Sequence, residues 1–281
     1  IGENGSKTLH VEVSKSQPMG LEKHLSDLLE FPHGCVEQIT SKAFAQLYLN
    51  KMMNLTDGAV ANINSNIASV ISRYPKYQLA NGGFTYWQGG SYEYLWASAY
   101  VLHFLTEAKR AGYSVESTMY NSLLTHLQNF TNGFASNFVY DLNSQSYRLY
   151  ALALAGKANV GAMNRLSRIS GLDEYAKAML ALAYTISGNA AQGSKLFDEI
   201  QKDFPSYRKT GGDFSSSIRD LAIICVVAKQ LNHHSAGERF VQLAKLANDS
   251  TWLSTQETAW LLIAASNFLT KEGDETVQYE I

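Results

Sequence analysis

The segment Tyr175–Ile186 has the sequence Tyr-Ala-Lys-Ala-Met-Leu-Ala-Leu-Ala-Tyr-Thr-Ile, and it decides the fold class. Its apolar side chains would cover almost every side of a helix rather than a single stripe. A helix without a polar face has to be surrounded by protein on all sides. The following segment, residues 189–204, carries its large apolar residues at helical spacing on one side only, which predicts a helix with one face in water.

The same two kinds of segment alternate along the chain. Helices that are apolar nearly all round are predicted at residues 36–52, 93–111, 144–155, 172–187, 215–232 and 255–269. Helices with one wet face are predicted at residues 20–30, 57–74, 115–130, 160–169, 189–204 and 234–248. Six helices of each kind predict an all-α fold, an α/α toroid in which six inner helices are surrounded by six outer ones. A superhelical solenoid also alternates in this way and is the alternative, although no fixed repeat period is visible.

The two ends of the chain have a different pattern. Residues 8–13 (Thr-Leu-His-Val-Glu-Val) and 276–281 (Thr-Val-Gln-Tyr-Glu-Ile) alternate polar and apolar side chains with the period of two that is typical of strands. A helical domain with a strand at each end is expected to be inserted into a β-domain. We therefore divide the chain into a strand-like lead-in at 1–19, a helical toroid at 20–271 and a strand-like exit at 272–281.

The composition disfavours several classes of partner. The 23 Lys and Arg residues balance 25 Asp and Glu residues, the formal net charge is −2, and no basic stripe is present. A surface that binds nucleic acid or an acidic membrane is therefore not expected. The apolar runs, such as Leu221–Ala228, are far too short to span a bilayer, so we expect no direct membrane insertion by this segment. Cys225 lies in that run and is expected to fill space in the core.

The segment Phe31–Ser41, with the sequence Phe-Pro-His-Gly-Cys-Val-Glu-Gln-Ile-Thr-Ser, carries the candidate chemistry. Pro32 and Gly34 predict a turn, which places Cys35 near the start of the following helix. Cys35 and Gln38 are three residues apart, so their side chains are neighbours on a helical turn. A thiol held beside a carboxamide can lose ammonia and close a thioester. This spacing alone occurs often by chance, but Gly-Cys-Val-Glu-Gln between Phe-Pro and a helix is much more specific.

The segment Gly34–Gln38 resembles the Gly-Cys-x-Glu-Gln thioester motif that alpha-2-macroglobulins share with the complement thioester proteins. Further segments are similar to those of bacterial members and follow in the same order: Gly82–Trp87, Trp96–Val101, Tyr175–Ala178, Ser216–Asp220 and Trp252–Trp260. The resemblance covers residues 20–270 and implies an α/α toroid inserted into a β-domain. This agrees with the helix alternation and with the strand-like ends.

The resemblance also implies a function, that of the thioester domain of a broad-spectrum protease-trapping inhibitor. Cys35 Sγ and the side-chain carbonyl of Gln38 would form an internal thioester, which flanking β-domains of the same full-length chain would shield until a protease cuts a bait region. An amine or a hydroxyl of the attacking protease would then take the Gln38 acyl group, and Cys35 would leave as a thiol. This is one covalent event per molecule, so the domain would not be an enzyme.

The same resemblance implies a location and the absence of a cofactor. Such proteins would act in the periplasm or at the outer surface of a Gram-negative bacterium, where a lipid anchor elsewhere in the full chain would hold them, in a role like host defence. No cofactor is implied, and no metal is expected either, because Cys35 and the histidines do not have the spacing of zinc ligands.

Histidines and one carboxylate bear on how the bond would react. The family commonly has tyrosine where this chain has His33, which could cover the bond, act as a base near neutral pH, or be an ordinary turn histidine bonded to the backbone. Glu37 lies in the first helical turn, where its charge suits the helix dipole, and is a second candidate for shielding or modulating the bond. Complement-type domains use a downstream histidine to direct reaction towards hydroxyls. Since His103 is expected to be a hydrogen-bonded core residue and His126 an exposed one, amine acceptors are expected.

Two other functions stay open. The domain could be a structural or binding module that keeps the fold without an active thioester, although the presence of both Cys35 and Gln38 argues against this. An α/α-toroid carbohydrate-active enzyme would need two carboxylates across a cavity. The acidic pairs at 173–174 and 198–199 are instead expected at a helix start and on an outer helix.

The segment around residues 84–96 is rich in aromatic residues and glycines. Its aromatic residues are Phe84, Tyr86, Trp87, Tyr92, Tyr94 and Trp96. Such a cluster could bind carbohydrate, but packing between a loop and the inner ring is the favoured interpretation. Asp213, which follows Gly211 and Gly212, is predicted to cap a helix rather than to act as a catalytic acid.

Overall fold

The computed structural model describes residues 30–52, 55–135, 139–201 and 206–268. Within these residues the chain forms eleven α-helices and, apart from three isolated β-bridges, no strand. The helices are α1 (Val36–Met52), α2 (Asp57–Arg73), α3 (Leu95–Arg110), α4 (Ser117–Asn132), α5 (Val139–Leu154), α6 (Val160–Leu166), α7 (Glu174–Ile186), α8 (Ala190–Asp198), α9 (Ser217–Gln230), α10 (Ala236–Asp249) and α11 (Thr255–Phe268). The predicted all-α class is confirmed.

The odd-numbered helices form a closed ring. Each of α1, α3, α5, α7, α9 and α11 packs against the next one, and α11 returns to pack against α1. The even-numbered helices lie outside this ring, each against the inner helix that precedes it in the chain. This arrangement is an α/α toroid, as predicted. The solenoid alternative is wrong, because the first and last inner helices of an open superhelix would not meet.

One outer helix and both chain ends fall outside the part of the chain that the structure describes. These are the predicted helix at 20–30, except for Glu30, and the strand-like segments at 1–19 and 272–281. The division of the chain into a toroid with two strand-like flanks therefore stays a prediction.

The burial of the inner and outer helices follows the sequence pattern. Every residue of α7 from Tyr175 to Tyr184 is buried except Lys177, which is partly exposed. In the outer helix α10, by contrast, burial is confined to one stripe: Arg239, Phe240, Leu243, Ala244 and Ala247. Each large apolar side chain that is fully buried contributes about 1.5–3 kcal/mol, so the inner helices carry most of the hydrophobic stabilisation. Cys225, in α9, is buried in the core as predicted.

The middle of the ring is filled by aromatic side chains. Trp96 stacks on Tyr100 at 5.0 Å between ring centroids, and both contact Tyr147. His103 is hydrogen-bonded to the hydroxyls of Tyr147 and Tyr150, at 3.0 and 3.1 Å. Burial lowers the pKa of His103 to about 3, so it is a neutral core residue, as predicted. None of the described helices is both long and apolar enough to cross a membrane.

Two helix boundaries differ from the prediction by more than four residues. Helix α5 begins at Val139, five residues before the predicted start. The prediction missed this start because the first turns of the helix carry the polar residues Asn143, Ser144 and Gln145, which are nevertheless buried. Apolar periodicity cannot detect a buried polar helix end. Helix α8 ends at Asp198, and the backbone N–H of Ile200 then bonds to the Phe197 carbonyl in a tighter turn.

The prediction that Asp213 caps a helix is wrong. The cap of α9 is Ser216, whose hydroxyl accepts a hydrogen bond from the Arg219 backbone N–H at 3.2 Å. Asp213 is buried and accepts a hydrogen bond from Asn143 Nδ2 at 3.0 Å. The chain does not enter the helix directly after the glycine pair, because Phe214 adopts a left-handed conformation with φ of 53° and delays the helix start.

Candidate functional site

The turn that precedes α1 is held by hydrogen bonds from two neighbouring segments. Arg73, at the end of α2, donates from Nη1 to the Pro32 carbonyl at 2.7 Å. The Tyr77 hydroxyl donates to the Gly34 carbonyl at 3.2 Å. The backbone N–H of Val36, the first residue of α1, donates to the Tyr86 carbonyl at 3.0 Å. These contacts fix the position of Cys35 by its backbone on both sides.

Cys35 and Gln38 are brought together at the N-terminus of α1. The Cys35 backbone N–H donates to Gln38 Oε1 at 3.1 Å, so the carboxamide of Gln38 folds back over the start of the helix. The Cys35 side chain is buried, with 1% of its surface exposed, whereas Gln38 is exposed. The arrangement brings the carboxamide of Gln38, which solvent can reach, to the backbone of Cys35, whose side chain is buried.

Gly34 leaves the space that this arrangement needs. Its φ of 112° lies in the left-handed region that glycine adopts without strain. A Cβ atom at this position would lie 2.0 Å from Gln38 Oε1 and 2.9 Å from Gln38 Cδ. Since both distances are below any real non-bonded contact, a larger residue would displace the carboxamide.

Hydrogen bonds and burial shift the pKa of the Cys35 thiol in opposite directions. Burial raises the pKa of the Cys35 thiol, and the nearby Glu37 carboxylate raises it further. Hydrogen bonds from the Tyr86 hydroxyl and from the backbone of Gln38 and Glu37 lower it. The net direction is upward, so the thiol form is favoured at neutral pH.

Glu37 is buried and joins α1 to α11, which are the first and last inner helices of the described ring. Its Oε1 accepts hydrogen bonds from Ser41 Oγ at 2.7 Å, Thr255 Oγ1 at 2.8 Å and Gln256 Nε2 at 3.0 Å. Burial raises the pKa of the Glu37 carboxyl, although all three donors lower it. The structure thus places Glu37 inside the ring, where it holds the helix that carries Cys35 and Gln38.

We expect Glu37→Ala to lower the free energy of unfolding by about 2–3 kcal/mol, because it removes the shared acceptor of three hydrogen bonds, two of which come from the buried residues Ser41 and Gln256. Glu37→Gln keeps an oxygen acceptor and removes the charge, so it is the matched control and should stay within about 1 kcal/mol of the unmutated chain at neutral pH. Denaturant-induced unfolding of the three proteins measures this. An Ala variant as stable as the Gln variant would contradict the role of the three hydrogen bonds.

The unmutated chain and the Glu37→Gln variant also test the raised pKa of the Glu37 carboxyl. Because the folded state binds this proton more tightly than the unfolded state, the stability that the group contributes is present below its unfolded pKa and is lost as the pH rises through its folded pKa. The unmutated chain should therefore lose stability relative to Glu37→Gln between acidic and neutral pH. Parallel stability curves for the two proteins over that window would contradict the assignment.

His33 lies in the turn just before the motif. Its side chain is exposed, and its ring lies 4.9 Å from the ring of Phe31. It is therefore on the solvent side of the turn, whereas Glu37 is on the core side. A role for either residue in shielding or modulating the bond stays a prediction.

The prediction that His126 is exposed is wrong. Its side chain is 13% exposed, and Nε2 lies 2.8 and 2.9 Å from the two carboxylate oxygens of Glu93. Glu93 also accepts a hydrogen bond from Ser98 Oγ at 2.8 Å. The helical pattern around His126 could not indicate this partner, because Glu93 lies in a loop 33 residues earlier.

The aromatic segment packs in the way favoured from the sequence, with two exceptions. Phe84 and Trp96 are fully buried, and Tyr94 contacts Trp96 and Phe214. Trp87 and Tyr92 are instead exposed, at 58% and 88%. Tyr86 is the member of the segment that contacts the candidate site, where its backbone carbonyl accepts the Val36 N–H next to Cys35. The sequence did not single it out for this contact, since only the folded loop brings the two residues together.

Within the described residues, no group of three or more His, Cys, Asp or Glu side chains could hold a metal ion. Cys35 and Cys225 are both free and buried. The candidate site consists of Cys35 and Gln38, together with the residues Arg73, Tyr77 and Tyr86 that hold the turn before α1 by hydrogen bonds.

Comparison with known proteins identifies related domains. A family model described as the A-macroglobulin TED domain matches residues 7–133. The alpha-2-macroglobulin of Escherichia coli strain K12 is 30% identical over 275 residues, which cover 90% of this chain and 16% of that protein. The chain thus spans about a sixth of the length of the curated relatives that it matches.

Solved structures agree with this comparison. Salmonella alpha-2-macroglobulin reacted with methylamine superposes with a TM-score of 0.78 at 26% identity, covering 90% of this chain and 18% of that one. Trypsin-activated alpha-2-macroglobulin from Escherichia coli superposes with a TM-score of 0.69 at 26% identity, covering 84% of this chain and 17% of that one.

Proposed function

Because the chain belongs to the A-macroglobulin TED domain family, we propose that Cys35 and Gln38 form an internal thioester that traps an attacking protease covalently. The observation that carries the proposal is the fold of the Gln38 carboxamide back onto the Cys35 backbone N–H, beside the buried sulfur. The role is that of a protease inhibitor rather than of a catalytic enzyme.

The proposed chemistry has two steps. In the first, the Cys35 sulfur attacks Gln38 Cδ, the Sγ–Cδ bond forms, the Cδ–Nε2 bond breaks, and ammonia leaves with the thiol proton. In the second, an amine of the target attacks the same carbon, the new C–N bond forms, and the Sγ–Cδ bond breaks. The proton that the amine loses balances the thiolate, so the products are an amide at residue 38 and a free Cys35 thiol. Each molecule reacts once.

Amines are the proposed acceptors. A histidine that directs reaction towards hydroxyls would have to reach the motif, whereas His103 is engaged by two tyrosines in the core and His126 by Glu93. The methylamine-reacted Salmonella relative is consistent with an amine acceptor.

The first test is the intact mass of the denatured chain, before and after incubation with methylamine. We expect a mass that is short by one ammonia, a Cys35 that resists alkylation, and capture of methylamine at residue 38 with release of the thiol. Glycerol in place of methylamine should give no adduct. Cys35→Ala should abolish capture completely, whereas Cys225→Ala, which removes the buried core cysteine, should leave it unchanged.

A mass equal to that of the unmodified sequence, with an alkylatable Cys35 and no methylamine adduct, would reject the thioester. The chain would then be a structural or binding module on the same fold.

We further propose that β-domains of the same protein flank this chain, and that the protein meets its targets in the periplasm or at the outer surface. The trypsin-activated relative supports a protease as the trigger. In the longer protein, trypsin should yield a covalent protease adduct that Cys35→Ala lacks, and cell fractionation should place the protein outside the inner membrane. A trypsin complex that dissociates in denaturant would contradict covalent trapping.

A further inference from the structure

The first turn of α1 has half of a helix capping box. Cys35 precedes the first residue of the helix, and Gln38 reaches back so that its Oε1 accepts the Cys35 backbone N–H at 3.1 Å. In an ordinary capping box a serine or threonine stands in the place of Cys35, and the glutamine only caps the helix. Here the oxygen that the N–H binds belongs to Gln38 Cδ, the carbon at which the proposed thioester forms and opens. The hydrogen bond therefore touches the reacting group.

The peptide group that carries this N–H is held at its other end by Tyr77. The Tyr77 hydroxyl donates to the Gly34 carbonyl at 3.2 Å, and this carbonyl belongs to the same peptide group as the Cys35 N–H. The carbonyl and the N–H of a planar trans peptide point in opposite directions, so a contact that fixes one of them also fixes the other. Gly34 has no side chain that could restrain this peptide, and its φ is 112°. The Tyr77 hydroxyl thus sets the direction of the Cys35 N–H.

Tyr77 is itself held in place. Its side chain is buried, its backbone N–H donates to the Tyr74 carbonyl at 2.9 Å, and its carbonyl accepts the Thr85 N–H at 2.9 Å. Gln88 Nε2 donates to the Tyr77 hydroxyl oxygen at 3.3 Å, which leaves the hydroxyl proton for the Gly34 carbonyl. A donor that is fixed in this way does not have to reorganise when charge develops.

The role of this peptide group rests on the proposed function. We propose that the Cys35 backbone N–H binds the negative charge that develops on Gln38 Oε1, and that Tyr77 is the positioning residue that aims this N–H. When an amine attacks Gln38 Cδ, the new C–N bond forms and an electron pair of the C=O double bond moves to Oε1. When the double bond forms again, the Sγ–Cδ bond breaks, and its electron pair leaves with the Cys35 sulfur, which takes the proton that the amine loses.

The geometry and the charges at the start of α1 suit such a donor. Donors that stabilise an oxyanion lie about 2.7–3.1 Å from it. The Cys35 nitrogen already lies 3.1 Å from Gln38 Oε1. The first turn of a helix also carries the positive end of the helix dipole, which favours negative charge. Two charged residues near the motif are engaged elsewhere, Arg73 with the Pro32 carbonyl and Glu37 with donors on α1 and α11.

The test compares Tyr77→Phe with Tyr74→Phe. Both variants keep an aromatic ring and lose a hydroxyl from a buried side chain, but the Tyr74 hydroxyl bonds to Thr40 Oγ1 at 2.8 Å instead. Removal of an oxyanion donor slows a reaction by about 100–1,000-fold. Tyr77→Phe leaves the donor and only loosens its direction, so we expect methylamine capture to slow by about tenfold. Tyr74→Phe should capture methylamine at the rate of the unmutated chain.

A second measurement reads the Cys35 N–H directly. Labelling of cysteine with nitrogen-15 gives two amide signals in a magnetic resonance spectrum, because the chain has only Cys35 and Cys225, and Cys225→Ala assigns them. A weaker hydrogen bond to Oε1 moves the Cys35 amide proton to lower chemical shift. We expect this change in Tyr77→Phe and not in Tyr74→Phe. The Cys225 signal, which comes from the core, should stay in place and show that the toroid is folded.

The outcomes separate this role from the proposed function. Slower capture by Tyr77→Phe with an unchanged Cys35 amide signal would show that Tyr77 only supports the turn, and would reject the positioning role. Capture at the unmutated rate would also reject it, while the thioester stands, and so would a Tyr74→Phe variant that reproduces both effects. If the unmutated chain neither loses ammonia nor captures methylamine, the proposed function fails and this role fails with it.

Discussion

Replacing Gly34 by alanine should abolish thioester formation while leaving the toroid folded. The added methyl carbon would lie 2.0 Å from Gln38 Oε1, so the carboxamide has to move away from the Cys35 backbone N–H that positions it. A displacement of about 1 Å at a reacting centre lowers a rate by about 100-fold, and we expect at least that loss in methylamine capture. Intact mass and methylamine incorporation measure the effect.

The control for this prediction is Gly112→Ala. Gly112 also has a positive φ, 92°, but a Cβ there would meet nothing within 4 Å. Both variants carry backbone strain of about 1–3 kcal/mol, whereas crowding of Gln38 occurs in only one of them. Gly112→Ala should therefore lose stability and keep methylamine capture. Normal capture by Gly34→Ala would show that the Gln38 carboxamide does not need the position seen in the structure.

The second large effect is expected on stability, at a buried arginine in α9. Arg219 donates to Asp220 Oδ1 at 2.7 Å, to Ser215 Oγ at 2.9 Å and to the Asp213 carbonyl, and its guanidinium lies 4.4 Å from the centre of the Tyr175 ring. We expect Arg219→Met to lower the free energy of unfolding by about 3–5 kcal/mol, because it leaves buried carboxylates without their counter-charge. Denaturant-induced unfolding measures this loss.

Lys209→Met is the matched control, because it removes a cation from the same group of carboxylates at an exposed position. Lys209 Nζ lies 3.6 Å from Asp213 Oδ1, and its side chain is 50% exposed. An exposed ion pair contributes less than about 1 kcal/mol, so this variant should be nearly as stable as the unmutated chain. Adding Asp220→Asn to Arg219→Met should restore part of the lost stability. Equal stabilities of the two single variants would contradict the role of Arg219.

The helical spacing of apolar residues predicted the helices well, whereas the surroundings of individual polar residues were predicted less well. The bounds of α1 were predicted to the residue, since its apolar residues and the turn before it are continuous in the sequence. The start of α5 was missed, because Asn143 and its neighbours are polar and yet buried beneath other segments. Asp213 and His126 were misplaced for a related reason. Their partners, Asn143 and Glu93, are 70 and 33 residues away along the chain.

The candidate site likewise contains one pair of residues that the spacing predicts and one contact that it does not. Cys35 and Gln38 could be paired from their spacing, because three residues of a helical turn bring two side chains together in any fold. The contact of Tyr86 with this site could not be predicted in this way, because Tyr86 lies 51 residues beyond Cys35 and meets Val36 only after the loop has folded onto α1.

By itself, then, the sequence determined the eleven helices of the described residues and their alternation between inner and outer positions, and it predicts Cys35 and Gln38 as the reactive pair, because each of these follows from periodicity or from neighbours within one helical turn. Only the tertiary structure decided that α11 meets α1, that Glu37 holds the two helices together, and that the Tyr86 carbonyl accepts the Val36 N–H next to Cys35. These contacts join residues far apart in the chain, and hydrogen bonds over such separations leave no periodic signal in the sequence. They depend on the closure of the whole ring.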